Sequence, residues 1–370
     1  MIPELNEKVE KLINKQISDG RQIGVQVCAY HYGEKIVDTW AGSMGPDSDR
    51  PVQADSLFNC FSAGKGVAAT ALHILADKGI IEYDAPVADY WPKFGKHGKD
   101  KVTVAEALSH RTGVYTSPTE HDFDLHDWEA GIKYVEDAIP SFTPGTKRGY
   151  QNLTFSWIVG GIIEKSSGLH ISDVIRDWIA KPLGVEHEMY AGIPDEVENR
   201  LTTIKVWNPE KLGYPPDSEF FKALPRTREE WEKCNDIEMR KACLISFNGH
   251  FTARALARMY GALANGGEID GVRIVSSSRI KEMQRFVTED FDVVTLSSGR
   301  GGIGFDLGGE KGHKFGPRST AFGHSGAGGS QGYADPDIGL SIGVTLNMME
   351  MLRDRTIEIC ELIRNELGYE

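Results

Sequence analysis

The sequence predicts a mixed α+β protein, in which helices flank an antiparallel sheet built from both chain ends and a mostly helical domain is inserted into it. Segments rich in β-forming residues occur near the N-terminus and again near the C-terminus, and helical periodicity dominates between them. The chain has 370 residues, enough for two domains of roughly 150 residues each. We therefore expect a discontinuous sheet domain over 1–84 and 273–370, a helical domain over 85–272, and a site in the cleft between them.

The N-terminal segment combines one helix with two strands. Residues 3–18 place apolar side chains on one helical stripe, which Gly20 ends. The segments Ile23–Tyr32 and Lys35–Ala41 are rich in β-forming residues, and Gly33-Glu34 between them is a two-residue hairpin signal. We expect a helix followed by an antiparallel strand pair.

The C-terminal segment repeats this combination in reverse order. Strands are predicted at Gly302–Leu307, Gly329–Asp335 and Gly339–Asn347, with a turn at Pro336-Asp337 between the last two. A helix from about Leu352 to Leu367 is expected to close the chain.

Helical patterns fill most of the middle of the chain, and several of them stop at a glycine, as helix C-caps do. In contrast, the stretch 199–248 is rich in proline, tryptophan and charge, has no sustained period, and is expected to cover the cleft or the surface. The predicted helical segments are 69–79, 102–113, 154–168, 171–184 and 252–267.

Composition narrows the classes of partner. A net charge of -13 disfavours nucleic acid and anionic membrane surfaces, which attract basic proteins, so a small-molecule substrate is expected. No apolar run approaches the roughly 18 residues of a membrane span, and the N-terminus lacks a signal-peptide pattern, so we expect a cytoplasmic protein. The five cysteines have no metal-like or disulfide-like spacing, and we expect free thiols. We expect no cofactor, and the oligomeric state is open.

The first chemical motif is Ser62-Ala63-Gly64-Lys65, an SxxK pattern at a helix start. On a helix the two side chains lie one turn apart on the same face, which suits a nucleophile beside its base. A lysine with a pKa of about 10.4 is almost wholly charged at pH 7, so burial among apolar neighbours must lower its pKa. The alternative is structural, with Ser62 as a helix cap and Lys65 in solvent.

The chain also contains a second SxxK pattern and a YxN pattern. Ser278 and Lys281 form a second SxxK, which is interpreted as an N-cap before a surface helix. The triplet Tyr150-Gln151-Asn152 is the single YxN in the chain. Either Asn152 caps the following helix and Tyr150 packs, or the Tyr150 phenol near a lysine ammonium transfers protons.

The glycine-rich stretch Gly323–Pro336 contains a GxSxG pattern around Ser330. A nucleophile elbow needs a strand, a turn and a helix followed by a later histidine, yet no histidine follows His324, so Ser330 is predicted to be structural. A polar loop also contains five residues of types that can bind metals. Acidic residues in such a loop more often mark the start of a helix, so no metal is expected. The five residues are His121, Asp122, Asp124, His126 and Asp127.

The ordered set of SxxK, YxN and a glycine-rich strand with HSG resembles the serine β-lactamase and penicillin-binding-protein superfamily. The closer resemblance is to its class C-like branch, which includes family VIII carboxylesterases, and it extends from about residue 20 to 350. It implies a β-lactamase/transpeptidase-like fold and no metal. Three further stretches support it: Leu108–Gly113, Asp84–Pro92 and Gly323–Asn347.

The resemblance implies a role for each motif residue. Ser62 is acylated, Lys65 and Tyr150 share the proton handling in an order that is left open, and Asn152 contacts Lys65 and the substrate carbonyl region. The backbone N–H groups of Ser62 and Ala327 form the oxyanion hole, where losing one donor typically costs about 3 kcal/mol of transition-state stabilisation.

The third motif departs from the penicillin-processing pattern. His324 stands where those members usually have a lysine, and Gly326 is the glycine of the motif. A neutral histidine attracts a substrate carboxylate less, so neutral esters or amides are favoured. The leading hypothesis is a metal-independent serine carboxylesterase acting on small esters. The alternatives are an acyltransferase to an alcohol or amine and a D-amino-acid amidase or peptidase, and less favoured are a β-lactamase and a non-catalytic binding protein.

Overall fold

Both chain ends contribute strands to one antiparallel sheet in the computed structural model, which describes residues 1–119, 122–207, 209, 213–309, 313–350 and 354–369. In chain order the strands are β1 (Gly24–His31), β2 (Glu34–Gly42), β3 (Phe58–Asn59), β4 (Met189–Tyr190), β5 (His250–Phe251), β6 (Glu268–Ile269), β7 (Val272–Arg273), β8 (Asp306–Leu307), β9 (Phe322–Ser325), β10 (Gln331–Asp335) and β11 (Leu340–Leu346). The main sheet has the order β2-β1-β11-β10-β9-β8. The predicted antiparallel sheet from both termini is therefore confirmed.

Helices dominate the chain between this sheet's two halves. The helices in the described residues are α1 (Pro3–Ser18), α2 (Ala63–Asp77), α3 (Val87–Tyr90), α4 (Val104–Leu108), α5 (Trp128–Asp137), α6 (Thr154–Ser167), α7 (Ile171–Val174), α8 (Glu219–Ala223), α9 (Arg228–Glu232), α10 (Ile237–Lys241), α11 (Ile245–Asn248), α12 (Ala253–Ala264), α13 (Ser277–Met283) and α14 (Asp354–Glu366). Within the described ranges, no helix combines the length and the apolar character needed to cross a bilayer. The domain boundaries at 84/85 and 272/273 stay a prediction.

Each face of the main sheet is covered by helices. The apolar stripe of α1, with Leu5, Val9 and Ile13, packs with Ile359 and Ile363 of α14 over one face. On the other face α12 lies across β1, β10 and β11, and α2 contacts β9. Because α2 begins at the SxxK motif, this packing sets the motif beside the edge of the sheet.

The C-terminal strands are shorter than predicted. Gly302–Leu307 is a strand only over its last two residues, because Gly304 has φ +81° and lies where a side chain would approach Ala69 of α2 within 2.5 Å. This left-handed conformation turns the chain before β8 begins. The closing helix is described from Asp354 on, and the predicted start at Leu352 lies outside the described residues.

The aperiodic stretch 199–248 contains the four short helices α8 to α11. It lies over the cleft, since its aromatic residues line the cavity next to the SxxK motif. The sequence left open whether this stretch covers the cleft or the surface. The position of these side chains shows that it covers the cleft.

Candidate active site

Ser62 lies immediately before the first residue of α2 and is 9% exposed. Its Oγ lies 3.0 Å from Lys65 Nζ and 2.6 Å from Tyr150 Oη. The Ser62 side chain makes no capping hydrogen bond to α2. The hydroxyl therefore faces the other two motif residues, and the structural alternative of a simple helix cap does not describe it.

Lys65 is fully buried one helical turn after Ser62. Its Nζ donates to Ser62 Oγ and to the Ser246 carbonyl, both at 3.0 Å, and lies 4.6 Å from the centre of the Tyr150 ring. Among the described residues, no carboxylate lies within 4.0 Å of Nζ. Burial lowers the pKa of Lys65 well below its usual range, and the charge of Asp306 opposes this shift only in part. The environment thus favours the neutral amine, the form that accepts a proton.

Ser246 of α11 is a site residue that the motifs do not reveal. Its backbone carbonyl holds Lys65, and its Oγ lies 2.5 Å from the Asn152 carbonyl and 2.6 Å from Ser156 Oγ. These bonds fix α11 against the start of α6, and so fix the acceptor for the lysine. A backbone acceptor has no residue-type signature, so no signal in the sequence identifies it.

Two glycines permit the close approach of the elements that form the site. A Cβ on Gly64 would lie 1.9 Å from the Ile245 carbonyl oxygen, and a Cβ on Gly326 would lie 2.1 Å from the Cys60 carbonyl oxygen. Gly326 therefore lets the segment after β9 lie directly against the chain that leads into Ser62. The next residue is Ala327, whose N–H is the second predicted oxyanion donor.

Tyr150 is held from two sides in the loop before α6. Its backbone N–H donates to Asp292 Oδ1 at 3.2 Å, and its ring lies 4.8 Å from the His110 ring, centre to centre. His110 Nδ1 accepts from the Gln151 N–H at 3.2 Å. Burial and the nearby charge of Arg148 lower the pKa of His110 well below its usual range, so this nitrogen stays an acceptor.

Asn152 is 2% exposed and lines the cavity. Its Nδ2 has no hydrogen-bond partner among the described residues, and the expected contact with Lys65 is not among the hydrogen bonds of either side chain. Asn152 does not cap α6, whose N-cap residue is Leu153. A buried donor without an acceptor costs about 1–3 kcal/mol, so an acceptor on a bound ligand would stabilise this position.

The third motif lies at the end of β9. His324 is buried, and burial lowers its pKa to about 3, which keeps the ring neutral at neutral pH. Ser325 Oγ accepts from Lys314 Nζ at 3.0 Å, and Lys314 also pairs with Asp306 at 2.6 Å. A lysine thus reaches the third motif from a neighbouring loop, although the motif's own first residue is a histidine.

Lys314 belongs to a set of paired charges on one side of the cavity, here called the ionic wall: Arg148, Asp292, Asp306 and Lys314. Arg148 lies 3.5 Å from both Asp292 and Asp306. Burial alone would raise the pKa of Asp306, but the charges of Lys314 and Arg148 hold it well below its usual range. Sequence reasoning missed these residues because they are far apart in the chain and form no motif.

The cavity that contains Ser62 has a volume of about 710 Å³. It is also lined by aromatic side chains, here called the aromatic wall. Five of these six come from the aperiodic stretch 199–248. The aromatic wall consists of Phe61, Trp207, Tyr214, Phe220, Trp231 and Phe247.

The remaining candidate residues lie elsewhere. Ser278 is exposed within α13, whose N-cap residue is Ser276, so the predicted capping role of Ser278 is wrong; the Ser276 side chain makes no capping hydrogen bond either. Ser330 Oγ accepts from the Leu346 N–H at 3.1 Å, in agreement with a structural role. Asp127 caps α5, and His121 lies outside the described residues. Among the residues that the structure describes, no three His, Cys, Asp or Glu side chains group as metal ligands do.

Sequence similarity to known proteins indicates the family of this chain. The beta-lactamase family model matches residues 9–359. The chain is 32% identical over 348 residues to the esterase/beta-lactamase LipL of Mycobacterium tuberculosis, covering 89% of this chain and 78% of that protein.

Two solved structures are similar over nearly their whole length. A family VIII carboxylesterase has a TM-score of 0.88 at 33% identity, with 98% of this chain and 97% of that chain covered. A penicillin-binding protein homologue from Caulobacter crescentus has a TM-score of 0.86 at 30% identity, with 99% and 98% covered. Esterases and penicillin-recognising proteins thus share this fold and this level of similarity.

Proposed function

This chain belongs to the beta-lactamase family, a superfamily of serine hydrolases, and we propose that it is an esterase that forms an acyl-enzyme on Ser62 and hydrolyses small neutral esters. One observation carries the proposal. Ser62 Oγ lies within hydrogen-bond distance of both Lys65 Nζ and Tyr150 Oη, in a cavity large enough for a small ester. A serine with two proton-transfer groups at this distance is an activated nucleophile.

In the first half-reaction, Ser62 Oγ attacks the ester carbonyl carbon and its proton passes to the Lys65 and Tyr150 pair. The oxyanion of the tetrahedral intermediate accepts hydrogen bonds from the N–H groups of Ser62 and Ala327. When the intermediate collapses, the ester C–O bond breaks and the leaving alcohol takes up the proton. Asn152 Nδ2, which has no partner among the described residues, donates to an oxygen of the substrate.

In the second half-reaction, water attacks the acyl-enzyme carbonyl and gives a proton to the same pair. The bond between Ser62 Oγ and the acyl carbon breaks, the carboxylic acid leaves, and the proton returns to Ser62. The neutral Lys65 that burial favours is the form that this cycle requires at its start.

The electrostatics of the site favour neutral esters over substrates that are recognised by a carboxylate. His324 is neutral at neutral pH because burial lowers its pKa to about 3. Lys314 is paired with Asp306 at 2.6 Å, so its charge is already compensated. The names of two relatives, an esterase/beta-lactamase and a carboxylesterase, agree with ester hydrolysis.

The test is intact mass and turnover with p-nitrophenyl butyrate, with and without a penicillin. We expect Ser62-dependent release of p-nitrophenol, and a butyryl adduct on Ser62 after brief exposure. The Ser62→Ala variant should lose at least about 10³-fold in kcat, as loss of a catalytic serine does.

The chain offers two matched controls. Ser278→Ala removes the serine of the second SxxK pattern, and Ser330→Ala removes the serine of the GxSxG pattern. Ser278→Ala should keep full turnover, and Ser330→Ala should still form the butyryl adduct on Ser62. Turnover that persists in Ser62→Ala would refute the assignment, and a long-lived penicilloyl adduct would replace the esterase with a β-lactam-recognising protein.

A further inference from the structure

The apolar side of the cavity is built from aromatic rings that fix one another's orientation. The Phe61 ring makes T-shaped contacts with Trp231 at 5.9 Å and with Phe247 at 5.7 Å, and these two rings stack on each other at 5.9 Å. All three side chains are less than 7% exposed, so the rings are well packed before any ligand arrives. Since Phe61 directly precedes Ser62, this preformed face begins beside the nucleophile.

The aromatic wall has three further members. Tyr214 and Phe220 stack with a ring distance of 4.4 Å and an interplanar angle of 25°, and both line the cavity. The half-buried Trp207 also lines the cavity. The wall therefore offers ring surface to a ligand.

The ionic wall is balanced in charge. Arg148 and Lys314 each lie within 4.0 Å of a carboxylate, and Asp306 pairs with both of them. A charged substrate group placed here would meet ions that already have partners, whereas a neutral polar group would not disturb them. The cavity thus offers an aromatic surface and no uncompensated charge in the ionic wall.

We propose that the substrates are neutral esters that carry a flat aromatic group, which packs against the aromatic wall. This inference rests on the proposed function, because it assigns a substrate class to the same site. The ring can belong to the acyl or to the alcohol part of the ester. Contacts between aromatic rings are more favourable than their buried area alone predicts, so a phenyl group should be preferred over a cyclohexyl group with the same number of carbons.

The experiment compares two pairs of esters by kcat/KM. Ethyl phenylacetate against ethyl cyclohexylacetate varies the acyl part, and benzyl acetate against cyclohexylmethyl acetate varies the alcohol part. We expect the phenyl ester to be preferred by about fivefold in at least one pair, and that pair identifies the side that contacts the aromatic wall. A preference below about twofold in both pairs would overturn the inference.

Variants of the wall test its location. Trp231→Leu and Phe247→Leu should each bring the phenyl-to-cyclohexyl ratio close to one. Both esters of a pair are measured on one preparation, so the folded fraction cancels from the ratio, and the second variant serves if the first does not fold. Trp178→Leu, outside the cavity, should leave the ratio unchanged. A phenyl-to-cyclohexyl ratio that stays unchanged in both wall variants would refute the inference.

The outcomes separate this inference from the proposed function. Ser62-dependent hydrolysis without a preference for phenyl esters would overturn the aromatic-ester assignment alone. No Ser62-dependent hydrolysis of any of the four esters, nor of p-nitrophenyl butyrate, would overturn both.

Discussion

At the scale of single residues, the burial of Lys65 is the feature that sets the chemistry of Ser62. Its Nζ is bonded to a hydroxyl and to a backbone carbonyl, and no described carboxylate lies close enough to form an ion pair with it. Neither partner carries the negative charge that would stabilise an ammonium ion. The one described charge that favours the protonated form is Asp306, which acts without a direct contact.

This arrangement predicts a shift in the pH profile of an Asp306→Asn variant. Because the Asp306 charge raises the pKa of Lys65, removing that charge should lower the pKa further and generate the neutral amine at lower pH. The acid limb of the kcat/KM profile should therefore move to lower pH. The measurement is ester hydrolysis from pH 5 to 9.

Asp337→Asn is the control for this shift, since it removes an exposed carboxylate that pairs with Arg318 away from the site. An unmoved acid limb in Asp306→Asn, or an equal movement in Asp337→Asn, would contradict the assigned influence of Asp306 on Lys65.

At the scale of elements, the site depends on the fit between α2 and α11. The helix α2 carries both Ser62 and Lys65, but the acceptor that orients the lysine belongs to α11. The two helices approach so closely at Gly64 that a single methyl group would overlap the Ile245 carbonyl. Gly64, inside the SxxK motif, therefore permits the close packing that positions the acceptor of the lysine, and it is not a turn residue.

A Gly64→Ala variant should separate these two helices. We expect a loss of about 1–3 kcal/mol in the free energy of unfolding, as overpacking usually costs. Displacement of the Ser246 carbonyl should also lower kcat/KM by about 10- to 100-fold, since small misplacements of catalytic groups have effects of that size. Urea unfolding and ester hydrolysis measure the two effects.

Gly261→Ala in α12 provides the matched control, because it is also a buried helical glycine but its nearest neighbour is 3.2 Å from the added Cβ. It should remain close to wild type in both measurements. Equal losses in the two variants would mean that the contact at Gly64 has no special role.

At the scale of the whole molecule, buried neutral histidines couple folding to pH. Burial lowers the pKa of His73, His250 and His324 to about 3, and all three lie in the packed interior. In the unfolded chain these groups return to the ordinary value of 6.5. Between pH 6.5 and 3 the unfolded state therefore binds protons that the folded state does not, and stability falls as the pH falls.

His73 is a suitable probe because it is fully buried in α2, does not line the cavity, and its Nε2 bonds the Ile303 carbonyl at 2.9 Å. In His73→Gln the free energy of unfolding should fall less steeply as the pH falls. The slope should be smaller by up to about 1.4 kcal/mol per pH unit, the value for one proton. Urea unfolding between pH 7.5 and 5 measures this slope. An unchanged slope in His73→Gln would refute the linkage.

Much of the fold and of the candidate site follows from local patterns. The stripe of Leu5, Val9 and Ile13 predicts α1, which is confirmed. The first hairpin is also confirmed, but its two turn residues are Tyr32-Gly33 rather than Gly33-Glu34, because Glu34 already pairs with His31. Ser62 and Lys65 meet because their spacing matches one helical turn, which is a property of neighbouring residues. The roles assigned to these residues stay predictions until the variants are measured.

The sequence by itself determined the elements and the pair of Ser62 and Lys65, because periodicity, turn residues and helical spacing act over a few positions. Only the tertiary structure decided that Ser246 holds the lysine, that Lys314 reaches the third motif, and that 199–248 supplies an aromatic wall. These contacts join residues that are distant in the chain and several use backbone atoms. Such partners are chosen by packing in three dimensions, which leaves no pattern over neighbouring positions.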